Sequence, residues 1–317
     1  MGAVSDTDDA VGRAQVPRSG EERRSGHDRR SGDRRSGGEQ PTRRAGDLKP
    51  GQTRKPASAL ESLGAIGDLA RALVSRADGP YAGVVVEMVE AARLNEPTVV
   101  APDVAERMVA PFAWMIGYVG TQGVGLTSDG YLHPADFEAA AAAIGVGQGQ
   151  IGMLSGEGQA APVLAFRQAC QSAQLLRITR GRLTATRIAI ELARDPVALW
   201  WHLADELPLG RTDVERDAGA VLLLDAACHS RAQWPPPHLR FGAFDPIDDH
   251  LAAALHALGW AGSGGESLQG WQVRSLAAVT VTLLERLGAH VPDPDNRTLR
   301  PTPEGVAFAR AALRGRG

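Results

Sequence analysis

Between residues 112 and 305 one pattern recurs three times: an apolar helical run passes into a turn-bounded segment that closes on a threonine. Residues 112–119 lead to Gly123-Val124-Gly125-Leu126-Thr127, and residues 163–176 lead to Arg177-Ile178-Thr179-Arg180-Gly181-Arg182-Leu183-Thr184-Ala185-Thr186. Residues 275–287 lead through Gly288 and a loop at 292–296 to Leu299-Arg300-Pro301-Thr302. In the second copy Arg180-Gly181 suits a tight turn between strands, and Thr186 caps a helix that continues through Leu192. In the third, Thr302 caps a helix, Pro303 fits its first position, where no N–H is needed, and Glu304 favours the positive end of its dipole. Helix, hairpin, capped helix is the order at the end of a winged-helix module, and short α+β units of other kinds share it. The expected fold class is mainly α with short β-hairpins (α+β), as tandem winged-helix-like modules preceded by a disordered tail.

Other helices read from apolar spacing. Leu60, Leu63, Ile66, Leu69, Leu73 and Val74 recur at helical intervals until Ala77-Asp78-Gly79-Pro80 ends the run. Similar runs follow at 84–94 and 104–119. Asp195 caps and Pro196 starts a helix on which Leu199, Trp200 and Leu203 share a face, so the tryptophans are expected to anchor the core. Further helices are expected near 218–229 and 247–258, the latter capped near Asp245, with 234–237 an extended break. The resulting division is a tail at 1–57, a helical, winged-helix-like module at 58–147, a Gly-rich linker at 148–160, a central module at 161–232 and a C-terminal one at 240–317.

Residues 1–57 hold almost no large apolar side chains, so burial could not offset the entropy of ordering them. A short unit repeats there as Arg23-Arg24-Ser25-Gly26, Arg29-Arg30-Ser31-Gly32 and Arg34-Arg35-Ser36-Gly37. The tail carries a formal charge of +4 and residues 58–317 carry −7, which together give the chain's −3. Paired arginines fit an electrostatic arm for nucleic acid or another polyanion; a solubilising tail explains them equally.

Composition excludes several classes. Aromatics are 5% of a chain whose hydrophobic fraction is 43%, which favours helices packed through Ala, Leu and Val over a β-sandwich. Cys170 and Cys228 lie far apart in helical stretches and read as buried free thiols. No apolar leader follows Met1 and no aliphatic run could span a bilayer, so no membrane partner and a cytoplasmic location are expected. The Gly-rich stretch 145–158 lacks a Gly-Lys-Ser/Thr and reads as a linker. Asp245, Asp248, Asp249 and His250 read as a cap and a solvated first turn rather than metal ligands. His133, His202, His229, His256 and His290 have no partner at ligand spacing, so neither a metal, a cofactor nor a catalytic residue is expected.

The stretch 175–208, with its basic hairpin followed by Asp195-Pro196-Val197-Ala198-Leu199-Trp200-Trp201-His202-Leu203, resembles a group of actinobacterial proteins of unknown function, some called plasmid-ORF-like. The resemblance covers roughly residues 110–315, includes a closing segment like 299–305, and departs where Ala189 stands for the group's glycine. It implies no activity and no site.

The strongest positive signal is charge. From 161 to 195 the sequence has Arg167, Arg177, Arg180, Arg182, Arg187 and Arg194 against Glu191 and Asp195, a net +4 inside an acidic body. In a winged-helix reading the helix at 163–176 is the recognition element, with Arg167, Gln168, Gln171 and Gln174 as its polar readers, and Arg180–Arg182 is the wing. The expectation is a non-enzymatic DNA-binding or regulatory protein that uses Arg167, Arg177, Arg180, Arg182 and Arg187 together with Arg23, Arg24, Arg29, Arg30, Arg34 and Arg35. The alternative is a protein–protein interaction scaffold that does not bind nucleic acid.

Overall fold

The apolar spacing at Leu69, Leu73 and Val74 forms helix α1 (Asp68–Arg76), which buries Ala70, Leu73 and Val74. α2 (Ala82–Ala92) and α3 (Pro102–Val119) follow, the latter opened by Pro102 at a position that lacks an intrahelical N–H partner. The structure, a computed structural model, describes residues 66–146, 157, 161–229, 233–239, 248–262, 265–292 and 299–315. The tail at 1–57, the cap at Asp245 and, apart from Glu157, the linker at 148–160 lie outside the described residues.

After α3 come strand β1 (Val124–Gly125), α4 (Pro134–Ala143) and α5 (Ala161–Ser172), then β2 (Leu176–Thr179), β3 (Arg182–Ala185), α6 (Arg187–Leu192) and α7 (Pro196–Asp205). α4 has no counterpart in the sequence reading, because its alanine run shows no apolar and polar alternation; Pro134 opens it and Phe137, Ala140 and Ala141 bury it. The first of the three expected hairpins also differs. It closes on itself through one bridge, Leu126 to Leu132, while Val124 and Gly125 pair with Leu183 and Arg182 of β3. The result is one antiparallel sheet in the order β1-β3-β2, which joins residues on both sides of 148–160.

The second half runs α8 (Asp213–Cys228), a short 3-10 turn (Pro237–Leu239), α9 (Asp249–Ala257), α10 (Gly270–Leu276), α11 (Ala278–Arg286), β4 (His290–Pro292), β5 (Leu299–Pro301) and α12 (Pro303–Arg314). α8 begins at Asp213, ahead of the apolar run, because Thr212 and Glu215 form a capping box. The run at 275–287 is divided at Ala277 into α10 and α11.

The second and third copies of the sequence pattern fold into the same hydrogen-bonded frame. After α5 the Leu175 N–H returns to Cys170 O at 2.9 Å around Gln174, whose φ is +59°. After α11 the Ala289 N–H returns to Leu284 O at 2.9 Å around Gly288, φ +64°. Both are the six-to-one closure of a left-handed C-terminal cap. Each threonine then seals its hairpin in the same way: the Thr186 N–H donates to Leu175 O and the Thr302 N–H to Ala289 O, both at 2.9 Å. Their hydroxyls donate to Gln174 O (2.8 Å) and Gly288 O (3.2 Å), and accept from the Ala189 and Gly305 N–H groups (3.2 and 3.0 Å). The first copy has none of these bonds.

The two frames meet where α5 packs along α11, while α3 packs with α7 in the first half and α8 with α12 in the second. Every residue of α8 from Asp217 to Cys228 is buried, as expected of a helix enclosed by α2, α9, α10 and α12. Trp200 performs the anchoring role read from the sequence. It is fully buried, meets Phe308 of α12 edge to face at 5.0 Å, and donates its indole N–H to Met108 Sδ. Cys170 and Cys228 are buried and not joined in a disulfide, and burial pushes the Cys170 thiol up, away from the reactive thiolate.

Candidate nucleic-acid interface

The basic hairpin owes its shape to its turn. Arg180 and Gly181 both have positive φ, +51° and +71°, the mirror-image two-residue turn whose twist matches the strands it joins. That turn fixes the register Thr179↔Arg182, Ile178↔Leu183, Arg177↔Thr184 and Leu176↔Ala185. Leu183 and Leu176 consequently face the core, while Arg177, Thr179, Arg182 and Thr184 share the outer face.

Beside that outer face lies a concavity of about 390 Å³ between the sheet and α6. Arg177, Arg187 and Arg194 line it together with Thr121, Thr179 and Thr184, and Glu191 is its sole carboxylate. The Arg187 Nε donates to Glu191 Oε1 at 3.2 Å, one helical turn away, with Arg187 almost wholly exposed. An exposed pair of this kind contributes at most about 0.5 kcal/mol and is readily exchanged for another anion. Three guanidinium groups and three hydroxyls against one carboxylate are donor chemistry suited to an oxyanion such as phosphate.

The structure sorts the arginines singled out in the sequence. Arg177, Arg180 and Arg187 are exposed around the hairpin. Arg182 is exposed too, but its guanidinium donates to Gln122 O (3.1 Å) and Gly123 O, so it fastens the hairpin to the loop that precedes β1. Arg167 overturns the expectation. It is only 4% exposed, donates through Nε to Glu157 Oε1 at 2.6 Å and through Nη2 to Gly130 O at 3.1 Å, and cannot reach a ligand. Arg23, Arg24, Arg29, Arg30, Arg34 and Arg35 lie outside the described residues.

The expected recognition helix is displaced from that role for the same reason. α5 is packed along α11, and of its polar residues Gln168 and Ser172 alone are exposed. Gln171 accepts a 3.4 Å bond from Arg167, and Gln174 lies beyond the helix end, donating to Glu206. Glu157 and Thr121 escaped the sequence reading altogether. Glu157 sits in what reads as a featureless linker, yet it is 1% exposed and its second oxygen accepts from the Leu132 N–H at 2.7 Å.

A second polar cluster corrects the reading of 245–250. Asp248 is buried and forms a two-pronged ion pair with Arg274, both contacts 2.7 Å, and makes no side-chain cap. His250 is buried as well, with Nε2 2.7 Å from Asp225 Oδ1, and the Trp234 indole donates to the same oxygen at 2.8 Å. Burial alone would raise the Asp225 carboxyl, but the charge and hydrogen bond of His250 outweigh it and hold the group well below the usual carboxylate range. Nearby His290 is held neutral, its pKa lowered to about 4 by burial against the opposing attraction of Asp225. This side of the first turn is therefore interior.

No described helix is long and apolar enough to cross a membrane. No protein-family model matches the chain, and no curated protein or solved structure matches it either.

Proposed function

We propose that the chain binds the phosphate backbone of DNA through its basic hairpin, with the concavity beside α6 as the principal contact. The observation that carries this reading is the clustering of Arg177, Arg187 and Arg194 around one open hollow, in a body whose residues 58–317 are otherwise net acidic. A winged-helix-like unit at 102–185 accompanies the reading. It is supported by the order helix, strand, two helices and two strands, and by the sheet order β1-β3-β2. The second half repeats the same scheme without the first strand. Because α5 is covered by α11, the contacts favoured are to phosphates and not to base edges in the major groove.

The test is anisotropy of a labelled random-sequence duplex across a salt series. The full chain is compared with a variant carrying Ser at the repeat arginines Arg23, Arg24, Arg29, Arg30, Arg34 and Arg35 and with Arg177→Ala/Arg194→Ala. Each lost phosphate contact reduces the salt slope by about 0.9. The hairpin variant is expected to lose about two such contacts; absence of binding by the full chain at low salt contradicts the proposal, and an effect confined to the tail variant removes the hairpin from it.

A protein-interaction scaffold is the second reading, favoured by two exposed apolar side chains beside the hairpin, Ile178 and Ile188, each about half accessible. Purification of the chain from its host without a stoichiometric partner counts against it.

A further inference from the structure

The tip of the hairpin carries a side chain that its backbone disfavours. The first position of a mirror-image two-residue turn is normally Asn, Asp or Gly, because a positive φ brings an L side chain against its own carbonyl. Here it is Arg180, at φ +51°. Gln174 holds a similar φ as a helix cap, so the angle alone assigns no role; at Arg180 it coincides with an exposed guanidinium at a hairpin tip, and that coincidence motivates a functional reading. Of the neighbouring arginines, Arg182 is held on carbonyl oxygens, Arg187 on Glu191 and Arg167 in the interior, while Arg177 and Arg194 line the concavity. Arg180 is exposed and has no hydrogen-bonding or ionic partner among the described residues.

The surroundings define what such a tip fits. Arg177 lies three residues behind it, about 10 Å along an extended strand, on the face that lines the concavity with Arg187 and Arg194. A projecting guanidinium backed by phosphate-binding groups at that distance matches the section of a duplex minor groove, about 6 Å wide and walled by phosphates on both sides. With α5 covered by α11, that helix is not free to lie in the major groove, which leaves groove shape as the readout the hairpin itself offers. A·T tracts narrow the minor groove and deepen its negative potential, the setting in which an inserted arginine is most stabilised.

We propose that Arg180 inserts into the DNA minor groove and makes binding selective for A·T-rich segments, while Arg177, Arg187 and Arg194 hold the bordering phosphates. This rests on the phosphate-binding reading above. The experiment measures full-chain affinity for two short duplexes of equal length, one with a central A-tract and one of G·C pairs, at fixed salt, for wild type, Arg180→Asn and Arg177→Ala. Wild type is expected to prefer the A-tract by about tenfold. Arg180→Asn relieves the turn and should melt no lower than wild type, so its expected loss of the preference is not a loss of fold. Arg177→Ala is expected to weaken both duplexes alike and keep the preference. Distamycin, which fills A·T minor grooves, should displace wild type from the A-tract.

Equal wild-type affinity for the two duplexes, or an A-tract preference that survives in Arg180→Asn, overturns the minor-groove inference alone, provided Arg177→Ala still weakens binding. Failure of the wild-type chain to bind either duplex overturns the phosphate reading and this inference together.

Discussion

The two repeated frames, at 170–189 and 284–305, are built by the same bonds and put to different uses. Both turn on a left-handed residue after a helix, and both are sealed by a threonine that donates twice and accepts once. In the first, the hairpin displays Arg177, Arg180 and Arg182 and borders a basic hollow. In the second, the hairpin begins at His290, which is largely buried within reach of the Asp225 charge, and exposes Arg300 on its return strand. Shared backbone chemistry thus sets the shape of a hairpin, while the side chains on its faces decide whether it serves the surface or the interior.

The largest difference between the frames should come from Glu157. Arg167 of α5 is matched in α11 by Val281, so among the described residues the buried ion pair with Glu157 beside the first frame has no counterpart beside the second. Glu157→Ala leaves that guanidinium buried without its counter-ion and is expected to cost about 3–5 kcal/mol in urea unfolding. A cost below about 1 kcal/mol would mean that water reaches Arg167.

The position three residues after each threonine cap sharpens the comparison from the other side. A Cβ on Gly305 would lie 2.0 Å from Ala289 O, whereas Ala189 already occupies the corresponding place at full burial. Gly305→Ala should lower stability by about 3 kcal/mol and Ala189→Gly by about 1 kcal/mol. Equal effects would show that the frames are less alike than their hydrogen bonds.

Acid should act on the second frame first. The folded His290 pKa of about 4 lies below the ordinary 6.5, so between these values the unfolded chain binds more protons. Stability present above pH 6.5 is therefore lost as pH falls towards 4, by about 3 kcal/mol. The loss attached to the depressed Asp225 carboxyl comes only at still lower pH. His290→Gln should flatten the upper window, read from chemical denaturation at stepped pH; an unchanged slope would place its origin in other groups.

The smallest effect belongs to the first frame's hollow. Glu191→Gln removes its one carboxylate and should tighten duplex binding about two- to threefold, the scale of an exposed ion pair. Unchanged affinity would mean that phosphate does not enter the hollow.

How much of this the sequence discloses follows from the range of the interactions. Arg180-Gly181, the caps at Thr186, Asp195 and Thr302, and the buried Trp200 are legible because their causes lie within a few residues. β1 is not, since its partner β3 is nearly sixty residues away and two residues carry no alternation. The burial of Arg167 and the covering of α5 depend on Glu157 and α11, and no local pattern announces either. The hollow was half visible: the arginines of 161–195 signal a basic surface, but only the fold shows that Arg194 faces it and Arg167 does not.

The most direct test of the division between the frames is the salt slope of duplex binding for Arg177→Ala/Arg187→Ala/Arg194→Ala beside the single variant Arg300→Ala. The first-frame variant is expected to lower the slope by about 2–3, from the loss of as many phosphate contacts, and Arg300→Ala to leave it unchanged. A slope that falls for Arg300→Ala and holds for the triple variant would place the DNA contact on the wrong hairpin and contradict the account.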